Sequence, residues 1–243
     1  MQCVTLPGAE RATDLPTRWG EVTLGQFARL TELPEGSDVF NFLSVFLNLS
    51  PLEVMNLPRI FVNEQVLPVL DFAASTVPDF ESFQLPPSIL LPFEFGERQL
   101  PVAPSLDIIT FGQATDLGAL LQDAEMPRME KRLRALAIVF YPAYVGGDYD
   151  SDAITDFAEK VCSRAILEDA LPITDFFLSS TTASAAGTPA SSSASPSAPT
   201  SAPPASKPWW KNGMRWLWST RWPLATKRSG ATSGASVGAK STR

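Results

Sequence analysis

The chain has 243 residues, 44% hydrophobic and 19% charged, with a formal charge of −7, which suits one medium domain with an appendage. Histidine is absent, and with it go Ser-His-Asp and Cys-His catalysis, His-containing zinc sites and imidazole pH switches. Two cysteines, Cys3 and Cys162, make no Cys-x-x-Cys pair, so the composition fits a reduced cytosol and offers neither a disulfide framework nor a thiolate metal site.

In chain order, no basic region followed by an apolar run opens the sequence and no stretch of 18 apolar residues follows, so the expectation is a soluble protein with neither secretory signal nor membrane span. Thr23-Leu24-Gly25-Gln26 is a capping box, in which the Thr hydroxyl accepts from the third helical N–H and the Gln side chain reaches back. Apolar spacing predicts helices near 24–33, 38–48, 51–57 and 64–75; the third is opened by Ser50-Pro51-Leu52-Glu53. The second, Val39 to Leu47, is apolar nearly all round, so it is expected to be buried or covered by a partner. Prolines recur from Pro78 to Pro104, and Phe93 to Leu100 alternates around a glycine turn, which reads as a small hairpin. It is the one convincing β signal.

A second box, Thr110-Phe111-Gly112-Gln113, matches the first over nine residues in Thr, Gly, Gln and a final Leu. An internal repeat and convergence on good capping chemistry both account for that match. A helix follows from about Arg128 to Tyr141, with Leu133, Leu136, Ala137 and Phe140 as its apolar stripe. Arg128, Lys131, Arg132 and Arg134 fill its remaining surface and are expected to meet the body's own carboxylates. A further start near Ser151-Asp152 predicts a helix through about Leu167, with Ile154, Phe157, Ala158, Val161 and Ala165 on one face, and Pro172 to Leu178 closes the domain, its paired phenylalanines pinned to the core.

Asp148, Asp150, Asp152 and Glu159 imitate positions 1, 3, 5 and 12 of a calcium loop. Position 6, which needs a glycine, is Ala153, so acids at a helix start are the simpler account and no metal is expected. Gly234 to Ser241 resembles a phosphate loop, but Ala239 stands where a glycine must precede Lys240. No cofactor is expected.

All 26 acidic residues and 11 of the 19 basic ones precede Thr181, a balance of about −15, and the other eight basic residues follow Ser206. Residues 181–206 contain only Ala, Ser, Thr, Pro and Gly, a composition with nothing to bury, so they read as a flexible linker. Five of the six tryptophans then occur between Lys207 and Trp222, interleaved with four cations. The candidate partner-binding residues are Trp209, Trp210, Lys211, Arg215, Trp216, Trp218, Arg221 and Trp222. Indoles among cations suit an acidic protein groove, a membrane interface or a nucleic acid, and they suit the acidic body of the same chain equally well. The expected fold is mainly α: a helical domain over 1–180 with one hairpin insertion, a disordered Ala/Ser/Pro linker over 181–206, a Trp-rich basic segment over 207–228 and a disordered tail over 229–243.

Several segments taken together carry a family resemblance: Trp19-Gly20-Glu21-Val22-Thr23-Leu24-Gly25-Gln26-Phe27, the hairpin leading into Ile109-Thr110-Phe111-Gly112-Gln113, the helix Arg132 to Pro142, and Pro172 to Leu178. Their order resembles the tail assembly chaperones of tailed bacteriophages and prophages, over about residues 15–180. The resemblance implies a mainly helical, non-enzymatic protein of the host cytoplasm that holds the tape-measure protein until tail-tube subunits polymerise around it, with homo-oligomerisation open. It supplies no catalytic residues, and the segment beyond Thr181 lies outside it. The alternatives are a structural virion protein, such as a head–tail connector or a genome-associated component whose basic tail meets DNA, and a protein held at a membrane surface by its tryptophans.

Overall fold

The computed structural model describes residues 1–7, 12–103 and 105–186. The expected Trp-rich segment, its tail, the phosphate-loop lookalike and the linker beyond Ala186 lie outside the described residues. The described chain is mainly α, as its composition and capping chemistry predict. In order it forms β1 (Gln2–Thr5), β2 (Ala12–Leu15), α1 (Leu24–Glu32), α2 (Val39–Leu47), α3 (Pro51–Met55), α4 (Arg59–Phe61), β3 (Ser88–Phe93), β4 (Gly96–Pro101), α5 (Phe111–Gln122), α6 (Arg128–Val145), α7 (Ile154–Lys160) and α8 (Leu167–Ala186).

The three Thr or Ser boxes start α1, α3 and α5, each with both reciprocal bonds formed. α2 is capped by the Asp38 carboxylate, which accepts from the Asn41 N–H at 3.0 Å. Its all-round apolar character is absorbed by the protein itself. Leu43, Val45, Phe46 and Leu47 are buried, while Val39, Phe40 and Phe42 pack against the same core.

The expected helix over 64–75 is replaced by two turns, one wider and one tighter. α4 runs into a π turn over Val62–Val66, and a 3-10 turn follows over Val69–Ala74. Pro68 is the cause, since it has no N–H and its ring crowds the carbonyl four residues back. The chain widens just before it, and the Leu67 N–H bonds to the Val62 carbonyl at 2.9 Å instead of to residue 63.

The hairpin anticipated around residues 93–100 is longer, pairing Ser88 with Pro101 through to Phe93 with Gly96. A second hairpin, β1 with β2, gave no signal because each four-residue strand sends essentially one side chain inward, Val4 and Leu15. Two residues per strand are too few to establish an alternation.

α6 extends through Pro142 to Val145 and ends on Gly146 in the left-handed conformation at φ 72°, where a side chain would strain the backbone. Its buried face differs from the expected stripe. Arg132 is 2% exposed, between buried Met129 and Leu136, whereas Leu133 is only half-buried. The reason is that α8 presents acceptors at that level. Arg132 Nη1 donates to Thr174 Oγ1 at 3.1 Å and to the Leu171 carbonyl at 3.4 Å, and Nη2 stands 3.5 Å from Asp175 Oδ1. A guanidinium with that many partners can leave water without being orphaned.

The helix expected from 151 through 167 divides in two. α7 starts later, at Ile154, with no side-chain cap. It stops at Lys160, a 3-10 turn covers Cys162–Arg164, and Ala165 is extended. The competing interaction is a two-residue ladder with the start of α1. Leu24 N donates to the Ala165 carbonyl at 2.7 Å and Leu167 N to the Val22 carbonyl at 2.9 Å. The exposed first N–H of each helix is thereby satisfied by the segment leading into the other. α8 then carries Pro172 in its interior and continues to Ala186, past residue 180. Phe177 is buried and Phe176 half-buried against it, their ring centroids 5.2 Å apart, so the pair pins the middle of the helix rather than its end.

Candidate functional site

Each expected site residue, Trp209, Trp210, Lys211, Arg215, Trp216, Trp218, Arg221 and Trp222, lies outside the described residues. The described body has a candidate surface of its own, at the C-terminal end of α6, where three segments meet.

The first segment is the β3–β4 hairpin. The Tyr144 hydroxyl donates to the Pro92 carbonyl at 2.6 Å, and Arg98 donates to the Tyr144 carbonyl while lying 5.4 Å from the centre of the Phe93 ring. Phe93 and Tyr144 meet edge to face at 5.6 Å, and Tyr144 packs in turn on Phe157 of α7. Burial is the main reason the Tyr144 phenol is pushed up from its ordinary value. The hairpin is thus fastened to α6 at its tip, and Phe95, in the turn, is left 97% exposed.

The second is the loop after α6. Tyr149 and Ser151 hydroxyls both donate to Asp116 Oδ2 of α5, at 2.5 and 2.7 Å. Burial, together with that carboxylate, pushes the Tyr149 phenol far up, so it acts as a fixed donor. Asp150 is engaged by the Asp152 N–H at 3.0 Å, and among the described residues no group of three acid or cysteine side chains gathers around one point.

The third is the start of α5. A Cβ placed on Gly112 would stand 3.2 Å from the Tyr149 ring, so the second helical position lies directly under the loop. Phe111, the first residue of α5, is 89% exposed, with Ile108 exposed just before it. Val145, at the end of α6, completes the apolar set.

Segments 93–98, 107–111 and 145–152 together carry six acids and one cation, Arg98. Glu94, Glu97, Asp107, Asp148, Asp150 and Asp152 are all exposed. The arrangement is a set of projecting aromatic and aliphatic side chains among carboxylates. It can remove apolar surface of a partner from water and attract positive charge. The sequence places an aromatic at the hairpin turn and another at the first position of a capped helix, but whether either ring is covered depends on segments distant in sequence.

Elsewhere the described body offers less. An open cleft of about 280 Å³ between α1 and α2 is lined by Arg29, Glu32, Leu33, Ser44, Val45 and Leu49, at the small end of ligand sites. Burial pushes the Cys162 thiol far up, so it stays protonated within the core. Among the described residues no helix is long and apolar enough to cross a membrane. Compared with known protein families, curated proteins and solved structures, the chain matches none.

Proposed function

We propose that this chain is a non-enzymatic tail assembly chaperone of a tailed bacteriophage, working in the host cytoplasm, and that it binds an apolar helical segment of the tape-measure protein. The observation that carries this reading is the exposed pair Phe95 and Phe111 at the acidic end of α6, on a body whose segment order resembles that family over residues 15–180. Burying one such ring gives about 1.5–3 kcal/mol, and association costs several kcal/mol of lost freedom. A handful of rings therefore supports weak, reversible holding, which is what a client that must later be handed to tail-tube subunits requires. The surrounding carboxylates keep loaded complexes apart by like-charge repulsion. Trp209, Trp210, Lys211, Arg215, Trp216, Trp218, Arg221 and Trp222 add a second adhesive element on the same chain.

The test is co-expression of the full-length chain with a tape-measure protein of a tailed bacteriophage. The chain is expected to retain the tape-measure protein in soluble complexes and to be missing from purified particles. The double variant Phe95→Asp, Phe111→Asp should lose most of that retention while keeping its fold, because neither ring belongs to the core. Equal retention by the variant, or stoichiometric presence in mature particles, rejects the reading.

A further inference from the structure

The two halves of the sequence have complementary chemistry, and the described body shows where they can meet. Residues 207–222 carry five indoles and four cations with no acid. The α6 end carries six exposed acids, two cations near Tyr144, Arg98 and Arg164, and five exposed apolar side chains: Phe93, Phe95, Ile108, Phe111 and Val145. Another exposed apolar group, Leu52, Met55 and Ile60, sits on α3 and α4 among Glu53, Arg59 and Glu64, a mixed set of charges. The α6 end joins several rings for the indoles with an excess of negative charge for the lysines and arginines.

The chain is long enough. Twenty-two residues separate Ala186, where α8 ends, from Trp209. Fully extended they reach about 70 Å, while a folded body of this size has a radius of gyration of about 16 Å and is roughly 40 Å across. Every point of the body's surface lies within reach, and a short tether holds its end at an effective concentration of about 1 mM.

We infer that residues 207–222 dock onto the α6 end of their own chain, with indoles covering Phe93, Phe95 and Phe111 and cations facing the carboxylates of the hairpin and the 148–152 loop. The docking itself stands apart from the chaperone reading, because it needs no client.

Acrylamide quenching of tryptophan fluorescence in the full chain tests it. Trp19 is buried in the core and gives a constant background, so changes report on the five tryptophans of the strip. With a dissociation constant tenfold below the effective concentration, about 90% of strips are docked. Quenching should rise several-fold in the Phe95→Asp, Phe111→Asp variant. It should also rise as salt is raised from 0.05 to about 1 M, where charge attraction is screened within about 3 Å. Leu52→Asp, on the other apolar group, should leave it unchanged, and thermal melts of all three proteins confirm that each is folded.

Wild-type tryptophans as quenchable as those of a free 207–222 peptide would overturn the proposal. So would equal release by Leu52→Asp, which places the strip elsewhere. Protection lost on dilution moves the strip onto a second copy, and protection that arises only after anionic vesicles or duplex DNA are added assigns it to those partners; each result rejects self-docking. None of these readings involves the tape-measure protein, so failure here and failure of the client test are separate outcomes.

Discussion

The boxes at 23–26 and 110–113 use the same chemistry and are put to opposite tertiary uses. In both, the Thr hydroxyl accepts from the third helical N–H, at 3.2 and 3.3 Å, and the Gln carbonyl accepts from the Thr N–H, at 3.0 and 2.9 Å. In both, the glycine lies beneath a crossing segment, Ser163 in one case and Tyr149 in the other. The difference begins with the residue after Thr. Leu24 is fully buried, and its N–H joins the ladder that ties α1 to the start of α8; Phe111 is exposed, and its box is fastened instead by the Gln113 amide, which donates to the Ile138 carbonyl of α6 at 2.6 Å. One box is an inner joint. The other is a rigid mount that presents an aromatic ring to solvent, which is why the candidate surface sits at α5 and not at α1.

The largest contrast should come from the residue after Thr. Leu24→Ala removes a core side chain and should cost about 3 kcal/mol, whereas Phe111→Ala should change stability by less than about 0.5 kcal/mol. Urea denaturation of the two variants measures both. Next in size is the glutamine. Gln113 is buried and holds both the cap and α6, so Gln113→Ala should cost about 2–3 kcal/mol through lost bonds and an empty site. Half-buried Gln26 makes the cap bond alone, and its replacement should cost about 1 kcal/mol.

The glycines give a smaller difference of opposite sign. A Cβ on Gly25 would stand 2.9 Å from the Ser163 carbonyl oxygen, a backbone atom held by the adjoining ladder, so Gly25→Ala should destabilise by about 1–2 kcal/mol even after its gain in helix propensity. On Gly112 the obstacle is the edge of the Tyr149 ring at 3.2 Å, which can tilt, so Gly112→Ala should fall within about 0.5 kcal/mol of the parent. Equal losses at the two sites would mean that the boxes are not distinguished by what crosses them.

This contrast also explains what was legible in the sequence. Capping boxes are local codes, complete within four residues, and the three with Gln or Glu in the fourth place fixed their helices where expected, whereas the fourth start, near Ser151-Asp152, lacks that residue and forms no side-chain cap. The hairpin was visible because a glycine turn divides an alternating run. Exposure is a different matter, because it depends on segments distant in sequence. Phe111 and Leu24 occupy equivalent places in two nearly identical motifs, and nothing within nine residues states which is covered. Arg132 failed for the same reason: the periodicity assigns a cation to the solvent side unless one knows that Thr174 and Asp175 lie opposite. The α7 break failed because the ladder to Val22 and Leu24 spans more than 140 residues. At the candidate surface the sequence located the segments, but their convergence at the end of α6 rests on Tyr144, Tyr149 and Arg98, whose contacts span 33 to 52 residues.

The smallest expected effect separates the approaches to the two boxes by pH. Glu21, two residues before Thr23, is pulled both ways. Burial works to raise its carboxyl, but the Met1 ammonium at 2.7 Å and two hydrogen bonds from Thr17 outweigh that and bring it down to about 2 from 4.5. A carboxyl whose folded value lies below its unfolded one adds stability that is complete above about pH 4.5 and fades as pH falls toward 2. Among the described residues the approach to the α5 box shows no such ion pair; there the Ser105 hydroxyl donates to the Asp107 carboxylate and accepts from the Asp107 N–H. Acidification from pH 5 to 2.5 should therefore loosen residues 17–24 before 105–113, seen as earlier loss of amide-exchange protection at Leu24 than at Gln113. Acetylating the Met1 amine should move the Glu21 carboxyl carbon titration upward. If the Glu21 titration midpoint is unmoved by acetylation, the ammonium is not what holds it down, and the approach to the inner joint is fastened by Thr17 alone.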